Sequence, residues 1–534
     1  MPTRYITTPI YYVNDRPHIG HCYTTVLADV LARAGRLHNP APAPEGGVFF
    51  LTGTDEHADK VVTSAADHQM TPIQWADRNA EEFKKAFAFM NTSHDDFIRT
   101  TQDRHISKVR EYIRALQASG DIYLGDYVGW FDPSQEEYLT ETTAKEHNYL
   151  SPVTGRPLVK KTEKNYFFKL SAYETKLRAH IEGNKDFIKP DARRNEVLGR
   201  LRQGLQDVPI SRAVTDDPTS QWGIRMPDDA GHRIYVWIDA LFNYLSVVDT
   251  PERKYLWPAQ IHLIAKDILW FHAVIWPALL MALKRELPGM VYAHSYWVRE
   301  GRKMSKSLGN FVTLEVLEAY VNKFSLDAVR WYLITQGPLR ETDADFSHAK
   351  FVETYNAELA NGIGNCASRV SNMIAKYFDG KMPAGQPAAH AGYDFASVCA
   401  AAVKTSIDSA QGGDVATSVF QGIELVRQVD GYINTTTPFK LAKLVEADPS
   451  KKGELGAILY NCAETLRIAS LLLAPAMPTK MGELWALWSC TPAANVPLVT
   501  LGAFAGPHGL RPGSDVRKGE ALFMRADPAE VAPA

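Results

Sequence analysis

The chain has 534 residues, 45% of them hydrophobic and 22% charged, with a formal net charge of −3. That length exceeds one ordinary core and implies roughly three or four units of ~100–200 residues each, with the composition of a globular chain and not of a disordered or fibrous one. The near-neutral balance excludes a polycation, so any nucleic-acid contact rests on local basic faces, and five scattered cysteines (Cys22, Cys366, Cys399, Cys462, Cys490) without CxxC spacing indicate neither a disulfide framework nor a zinc knuckle.

The N-terminus enters a strand-like run, Tyr5–Thr8, at once and carries no signal-peptide core. A helix from about His21 to Leu37 and a strand at Val48–Leu51 follow. From roughly Tyr112 to Val214 the chain is rich in Tyr, Lys and Glu, with turn signals such as Pro152-Val153-Thr154-Gly155, and reads as an insert. Strand-like runs resume at Tyr235–Ile238, Ile261–Ile264 and Val291–Ala293, with helical runs between them. The apolar stretch Trp270–Leu283 is too short to span a bilayer and carries His272, so no membrane helix is expected. From about Phe351 the pattern turns helical (Ala357, Leu359, Ile363, Val370, Ile374, then Leu466–Leu473), predicting an all-α bundle. Asp527–Ala534 reads as a frayed tail. Strands interleaved with helices predict an α/β parallel sheet. Such a sheet binds ligands at the carboxyl ends of its strands. There Tyr12 and Asn14, Thr52–His57, Asp239, Lys266-Asp267 and His294 should converge.

Two motifs stand at such ends. Pro17-His18-Ile19-Gly20-His21 precedes Cys22, Val26, Leu27, Val30 and Leu31 at helical spacing, so it opens a helix. A helix N-terminus has free N–H groups and a positive dipole end, which suit a phosphate. The two histidines share a face, and Gly20 lets a ring approach the backbone. Alone, this motif reads equally well as capping histidines. Lys303-Met304-Ser305-Lys306-Ser307, followed by Leu308-Gly309-Asn310, predicts a mobile loop whose two lysines reach one polyphosphate. Together the motifs point to ATP and phosphate chemistry.

With these motifs in this order, the chain resembles the class I aminoacyl-tRNA synthetases, and the methionyl-tRNA synthetases in particular. The matching stretches are Tyr5–Asn14, Phe50–His57, Val236–Leu241, Phe271–Ala278 and Tyr355–Asn361. The resemblance implies a Rossmann-type catalytic domain in two halves (1–111 and 215–295) around a connective insert (112–214). A loop and stem-contact region (296–350), a helical anticodon-binding domain (351–515) and a tail (516–534) would follow. It implies that His18, His21, Lys303 and Lys306 are catalytic. Gly20, Asp267, Met304, Ser305 and Ser307 would bind ATP, with Mg2+ accompanying it. Methionine would lie against Ile10, Tyr12, Asp55, Trp237, Ala240, Leu241, Tyr244, Ile268, His272 and Trp276. Asp55 would take the ammonium, and Tyr12 and His272 would stand near the sulfur. Aromatic walls suit a thioether. On periodicity alone the stripes Trp237/Ala240/Tyr244 and Ile268/His272/Trp276 read as core, and Asp267 has a rival reading as the N-cap of a helix starting near Ile268.

In the helical part the resemblance implies anticodon contacts from Asn365, Arg369 and Phe439, although spacing alone favours an ordinary polar face for the first two. Phe439 stands where a tryptophan is expected and keeps stacking without an indole N–H. Ala58 and Ala265 stand where glycines are expected, leaving the backbone there open. The insert holds no cysteine, so a zinc-free type is expected. The expected partners are methionine, ATP and methionine-accepting tRNA, initiator and elongator, in a cytoplasmic monomer with no membrane contact. A non-catalytic tRNA-binding paralogue is disfavoured by the intact motifs, and an RNA-independent nucleotidyltransferase by the helical domain. Synthetases for leucine, isoleucine or valine need a larger insert, and one for cysteine needs more thiols.

Overall fold

The computed structural model describes residues 4–529 and 532, except 135, 136, 140, 300, 305–309 and 386–389. Six strands form the central sheet: β1 (Arg4–Tyr12), β2 (Val48–Asp55), β3 (Asp96–Arg99), β4 (Ile188–Lys189), β5 (Ile261–Ala265) and β6 (Met290–His294). Their spatial order is β3-β2-β1-β5-β6-β4, all parallel. β2 and β6 are buried along their whole length, as strands covered by helices on both faces must be. The order reverses between β1 and β5, which opens a crevice at their carboxyl ends. The register sets Tyr12 beside Asp55 and Ala265 beside His294. Pro9, which lacks an N–H, falls where the β1–β2 register slips between Thr7 and Ile10.

The helix after β1, α1 (Ile19–His38), is buried on nearly every side, between the sheet and the helical part. One predicted strand is absent. Tyr235–Ile238 is not extended: the strand there is Asp229–Ile234, antiparallel to Ser211–Ala213, and α2 (Val236–Leu241) begins at once after it. A short apolar run of aromatic and branched residues fits a buried helix as well as a buried strand, and here the helix wins. The insert carries a four-stranded sheet, with Ile122–Asp132 and Val159–Phe168 at its centre. It is not a detached lobe, because it lends β4 to the edge of the central sheet. Two of its loops are joined by hydroxyls: Ser134 bonds Thr154 Oγ1 at 2.8 Å and donates its N–H to Asp132 at 2.8 Å. Among the described residues no group of three His, Cys, Asp or Glu side chains is placed to hold a metal ion, and no helix is long and apolar enough to cross a membrane.

The C-terminal part is helical as expected: α3 (Asn365–Tyr377), α4 (Phe395–Gln411), α5 (Val415–Thr436), α6 (Pro438–Ala447) and α7 (Lys452–Leu473). From Leu455 almost all of α7 is buried, so it is the bundle's central helix. A fully buried pair, Arg330 to Asp29 of α1 at 2.7 Å, ties this part to the sheet, and Arg330 also donates to the carbonyls of Met90, Pro475 and Ala476. The middle of the segment set apart as a tail (516–534) is held down: Asn356 exchanges hydrogen bonds of 2.9 and 3.0 Å with the backbone of Ala526, and Tyr355 donates to the Met524 carbonyl.

Candidate active site

A cavity of about 840 Å³ opens at the carboxyl ends of β1, β2, β5 and β6. On one side is the start of α1, where two histidines cap the helix reciprocally. The Gly20 N–H donates to His18 Nδ1 at 3.0 Å, and the His18 N–H donates to His21 Nδ1 at 3.1 Å. Both Nδ1 atoms are acceptors, so each ring carries its proton on Nε2. Burial lowers His18 to about 4, and burial and then the neighbouring His18 hold His21 well below its ordinary value. The pair is therefore neutral at physiological pH and offers two Nε2–H donors at a helix N-terminus. Gly20 has a role beyond backbone access: a methyl there would stand 2.9 Å from His18 Cε1, so only glycine lets the ring fold back over the helix start.

The segment that follows the second motif, Phe311–Thr313, is brought to this point. The Ile19 N–H donates to the Val312 carbonyl at 3.1 Å, His18 pairs with Thr313, and the Phe311 ring lies 5.0 Å from that of His18. The Lys303 backbone pairs with Val298, and Met304 is buried in the core. Ser305, Lys306 and Ser307, and the Lys303 side chain, lie outside the described residues.

The other side of the cavity is aromatic. Trp237 stacks on Phe271 at 4.2 Å and meets Tyr12 edge-on at 5.9 Å. Ile10, Asp55, Ala240, Leu241, Tyr244, Ile268 and His272 line the same space. Trp276 does not. It is fully buried behind the wall and donates its indole N–H to His262 at 3.2 Å. The physical reason is that Phe271–Ile275 is a π-helix, whose wider turn breaks the four-residue spacing and rotates Trp276 off the face shared by Ile268 and His272. The His272 tautomer is also set. Nδ1 faces the Ile268 carbonyl at 2.9 Å and so carries the proton, which leaves Nε2 to accept from the Tyr244 hydroxyl at 2.8 Å. Burial lowers His272 to about 4. Both ring nitrogens are thus engaged within the wall, and the ring lines the cavity.

Asp267 lines the cavity but is not an N-cap: that place belongs to Ala265, and the Asp267 carboxylate accepts from Tyr296. Ala58 (φ −70°) and Ala265 (φ −84°) both have ordinary extended backbone, so neither position requires a glycine. Asp239 does not converge on the cavity. It is buried below it between His57 (2.6 Å) and His105 (2.7 Å). Burial pushes its carboxyl up, but the two histidines outweigh that and hold it at about 2. Tyr23, Thr24, Asn243 and Trp297 also line the cavity and were missed. For Thr24 the signal was present, four residues after Gly20 on one helix face. Among the described residues the Tyr23 hydroxyl, buried there, has no hydrogen-bond partner.

In the helical part Asn365 is exposed on α3, and Arg369 pairs with Asp430 of α5 at 2.6 Å. Phe439, at the start of α6, is 44% exposed, unusual for so large an apolar side chain.

The family model for class I (M) tRNA synthetases matches residues 4–148 and 143–371. The methionine–tRNA ligase of Streptomyces coelicolor is 41% identical, with 98% of this chain and 96% of that protein covered. That of Bacillus subtilis is 36% identical, with 99% and 78% covered. The structure of Mycobacterium tuberculosis methionyl-tRNA synthetase in complex with methionyl-adenylate superposes with a TM-score of 0.87 at 34% identity, covering 98% of this chain and all of that one.

Proposed function

Because this chain belongs to the methionine–tRNA ligase family of class I synthetases, we propose a division of labour in its cavity between α1, the aromatic wall and the loop after Lys303. The overall reaction is that of the family: methionine is activated with ATP to methionyl-adenylate and pyrophosphate, and the methionyl group then passes to the 3′-terminal ribose of tRNA. In the first step the carboxylate attacks the α-phosphorus in line, and negative charge grows on the equatorial oxygens and the departing pyrophosphate. No covalent enzyme intermediate is required, so the chain's task is to position and stabilise. His18 and His21 donate Nε2–H bonds to the α-phosphate region, which the neutral, reciprocally capped pair supports best of all the observations. Being uncharged, they stabilise by dipoles already aimed, each typically worth ~3–4 kcal/mol. Lys303 and Lys306, flanking Met304, Ser305 and Ser307, close over the outer phosphates. Mg2+ enters with ATP as part of the substrate.

Asp55 takes the ammonium of methionine. Ile10, Tyr12, Trp237, Ala240, Leu241, Tyr244, Ile268 and His272 enclose its side chain, with Trp276 supporting them from behind, and Asp267 contacts the ribose. Asn365, Arg369 and Phe439 read the anticodon of initiator and elongator tRNAs. The units remain 1–111, 112–214, 215–295, 296–350, 351–515 and 516–534, in a monomer that works in the cytoplasm. Exchange of labelled pyrophosphate into ATP tests this reading. Methionine alone among the amino acids should support it, and His18→Ala or Lys306→Ala should slow it 10²–10³-fold without loss of fold. Exchange with another amino acid only, or variants as fast as the parent, would refute it.

A further inference from the structure

A second cavity, of about 180 Å³, lies at the opposite edge of the sheet, where β1, β5 and β6 begin. Arg4, Ile6, Leu31, Gln260, Met290 and Gln411 line it, and the end of α4 closes it from the helical part. It shares no lining residue with the large cavity. Arg4 is its unusual member. The side chain is only 9% exposed, yet among the described residues its guanidinium has no hydrogen-bond or ion-pair partner. It lies along α1, where a methyl on Gly35 would stand 3.6 Å from Nη1. Among the described residues no carboxylate lines the cavity. His38, at the end of α1, is buried close by, with its Nδ1 also unpartnered. Burial, and then the charge of Arg4, lower it to about 4. A buried cation without a counter-charge is costly, and the guanidinium fork matches the paired oxygens of a phosphate or carboxylate. Gln260 and Gln411 line the same cavity.

We propose that this cavity is a binding site for a small oxyanion, a phosphate or a small carboxylate, held by Arg4 where the sheet meets the helical part. The volume is below that of a nucleotide site, which excludes ATP as its occupant. A ligand there would clamp α4 to the starts of β5 and β6, so its signature is stabilisation of the fold and not a change in chemistry.

The test uses the full chain with its large cavity filled by a non-hydrolysable methionyl-adenylate analogue. Inorganic phosphate and acetate are titrated separately at ionic strength held constant with chloride. A saturable rise in melting temperature is expected with at least one of them. Phosphate alone acting would name a tetrahedral ligand, and acetate alone a carboxylate. Arg4→Met should abolish the rise, Arg4→Lys should weaken it at least tenfold in concentration, and pyrophosphate exchange should stay near the parent rate in both. No saturable rise in the parent, or an equal rise in Arg4→Met, overturns the site. If Arg4→Met does not fold, line broadening by the parent of the phosphorus signal of inorganic phosphate and of the methyl proton signal of acetate decides. Saturable broadening of at least one of them supports the site, and saturable broadening of neither overturns it.

Discussion

Gly20→Ala should separate stability from catalysis. Gly20 lies within α1 at an ordinary backbone conformation, so alanine is tolerated by the chain and gains helix propensity, worth up to about 1 kcal/mol. The added methyl, however, would stand 2.9 Å from His18 Cε1 and 3.2 Å from Nδ1. Relief to an ordinary contact of about 3.5 Å moves the ring by more than 0.5 Å. That shift stretches the 3.0 Å bond from the Gly20 N–H to Nδ1. The bond is worth about 1 kcal/mol, and it alone sets the His18 tautomer. Its loss frees the proton to occupy either nitrogen. A displacement of about an ångström in a positioned donor costs on the order of 10² in rate, or about 2.7 kcal/mol in the transition state. Pyrophosphate exchange should therefore fall on the order of 10²-fold in kcat, with KM for methionine unchanged because the aromatic wall is untouched. The melting temperature should hold or rise. Unchanged exchange would show that the His18 ring position does not matter. A lowered melting temperature alongside slow exchange would show that the methyl disrupts the helix start and not the ring.

Three further outcomes follow from the same geometry. Tyr244→Phe leaves the buried Nε2 of His272 without its 2.8 Å donor; a cost of about 1–3 kcal/mol should appear as a KM for methionine raised at least fivefold, whereas Trp276→Phe, behind the wall, should lower the melting temperature with little effect on that KM. Phe439→Ala should lower kcat/KM for tRNA by roughly 5- to 150-fold, the equivalent of one lost stacking contact of ~1–3 kcal/mol, and leave pyrophosphate exchange alone; Phe439→Trp should match or exceed the parent. Acid should unfold the chain early. His38, His272 and His294 are lowered to about 4, and His262 well below its ordinary value, all chiefly by burial. Each stays neutral when folded but takes a proton near pH 6.5 when unfolded, so stability is full above 6.5 and falls as pH drops toward 4. At pH 5.5 the loss is about 1.4 kcal/mol each and about 6 kcal/mol for the four, a large part of a typical 5–15 kcal/mol. Urea midpoints measured from pH 7.5 to 5 should fall steeply below 6.5; a flat profile would refute the neutral buried assignments.

What could be read from sequence was set by how local each signal is. Strands with apolar runs and a polar residue at the carboxyl end are local, so β1, β2, β5 and β6 and the convergence of Tyr12, Asp55, Asp267 and His294 were legible. Asp239 ends a similar run yet is buried away from the cavity, because its partners His57 and His105 come from segments 182 and 134 residues distant. No periodicity encodes such a pairing. Tyr235–Ile238 failed because a buried helix and a buried strand present the same apolar residues.

The case of Trp276 goes further. Its spacing from Ile268 and His272 is that of an α-helical face, and the assignment fails only because Phe271–Ile275 winds as a π-helix. The same turn is what makes the His272 arrangement possible. His272 Nδ1 reaches the Ile268 carbonyl four residues back, and its other nitrogen reaches Tyr244. A helix turn of unusual width thus costs the sequence reading one residue and gives the wall a histidine with fixed polarity. The motif at His18 is the reverse case. Its residue types were visible, but not the reason for their order: each histidine accepts one backbone N–H, so each turns its remaining N–H outward. Exchanging His18 for asparagine, which can accept the same Gly20 N–H while still presenting a donor, should therefore retain more pyrophosphate exchange than alanine does. Equal loss in both would mean that the ring itself, and not its donor, is what the phosphate requires.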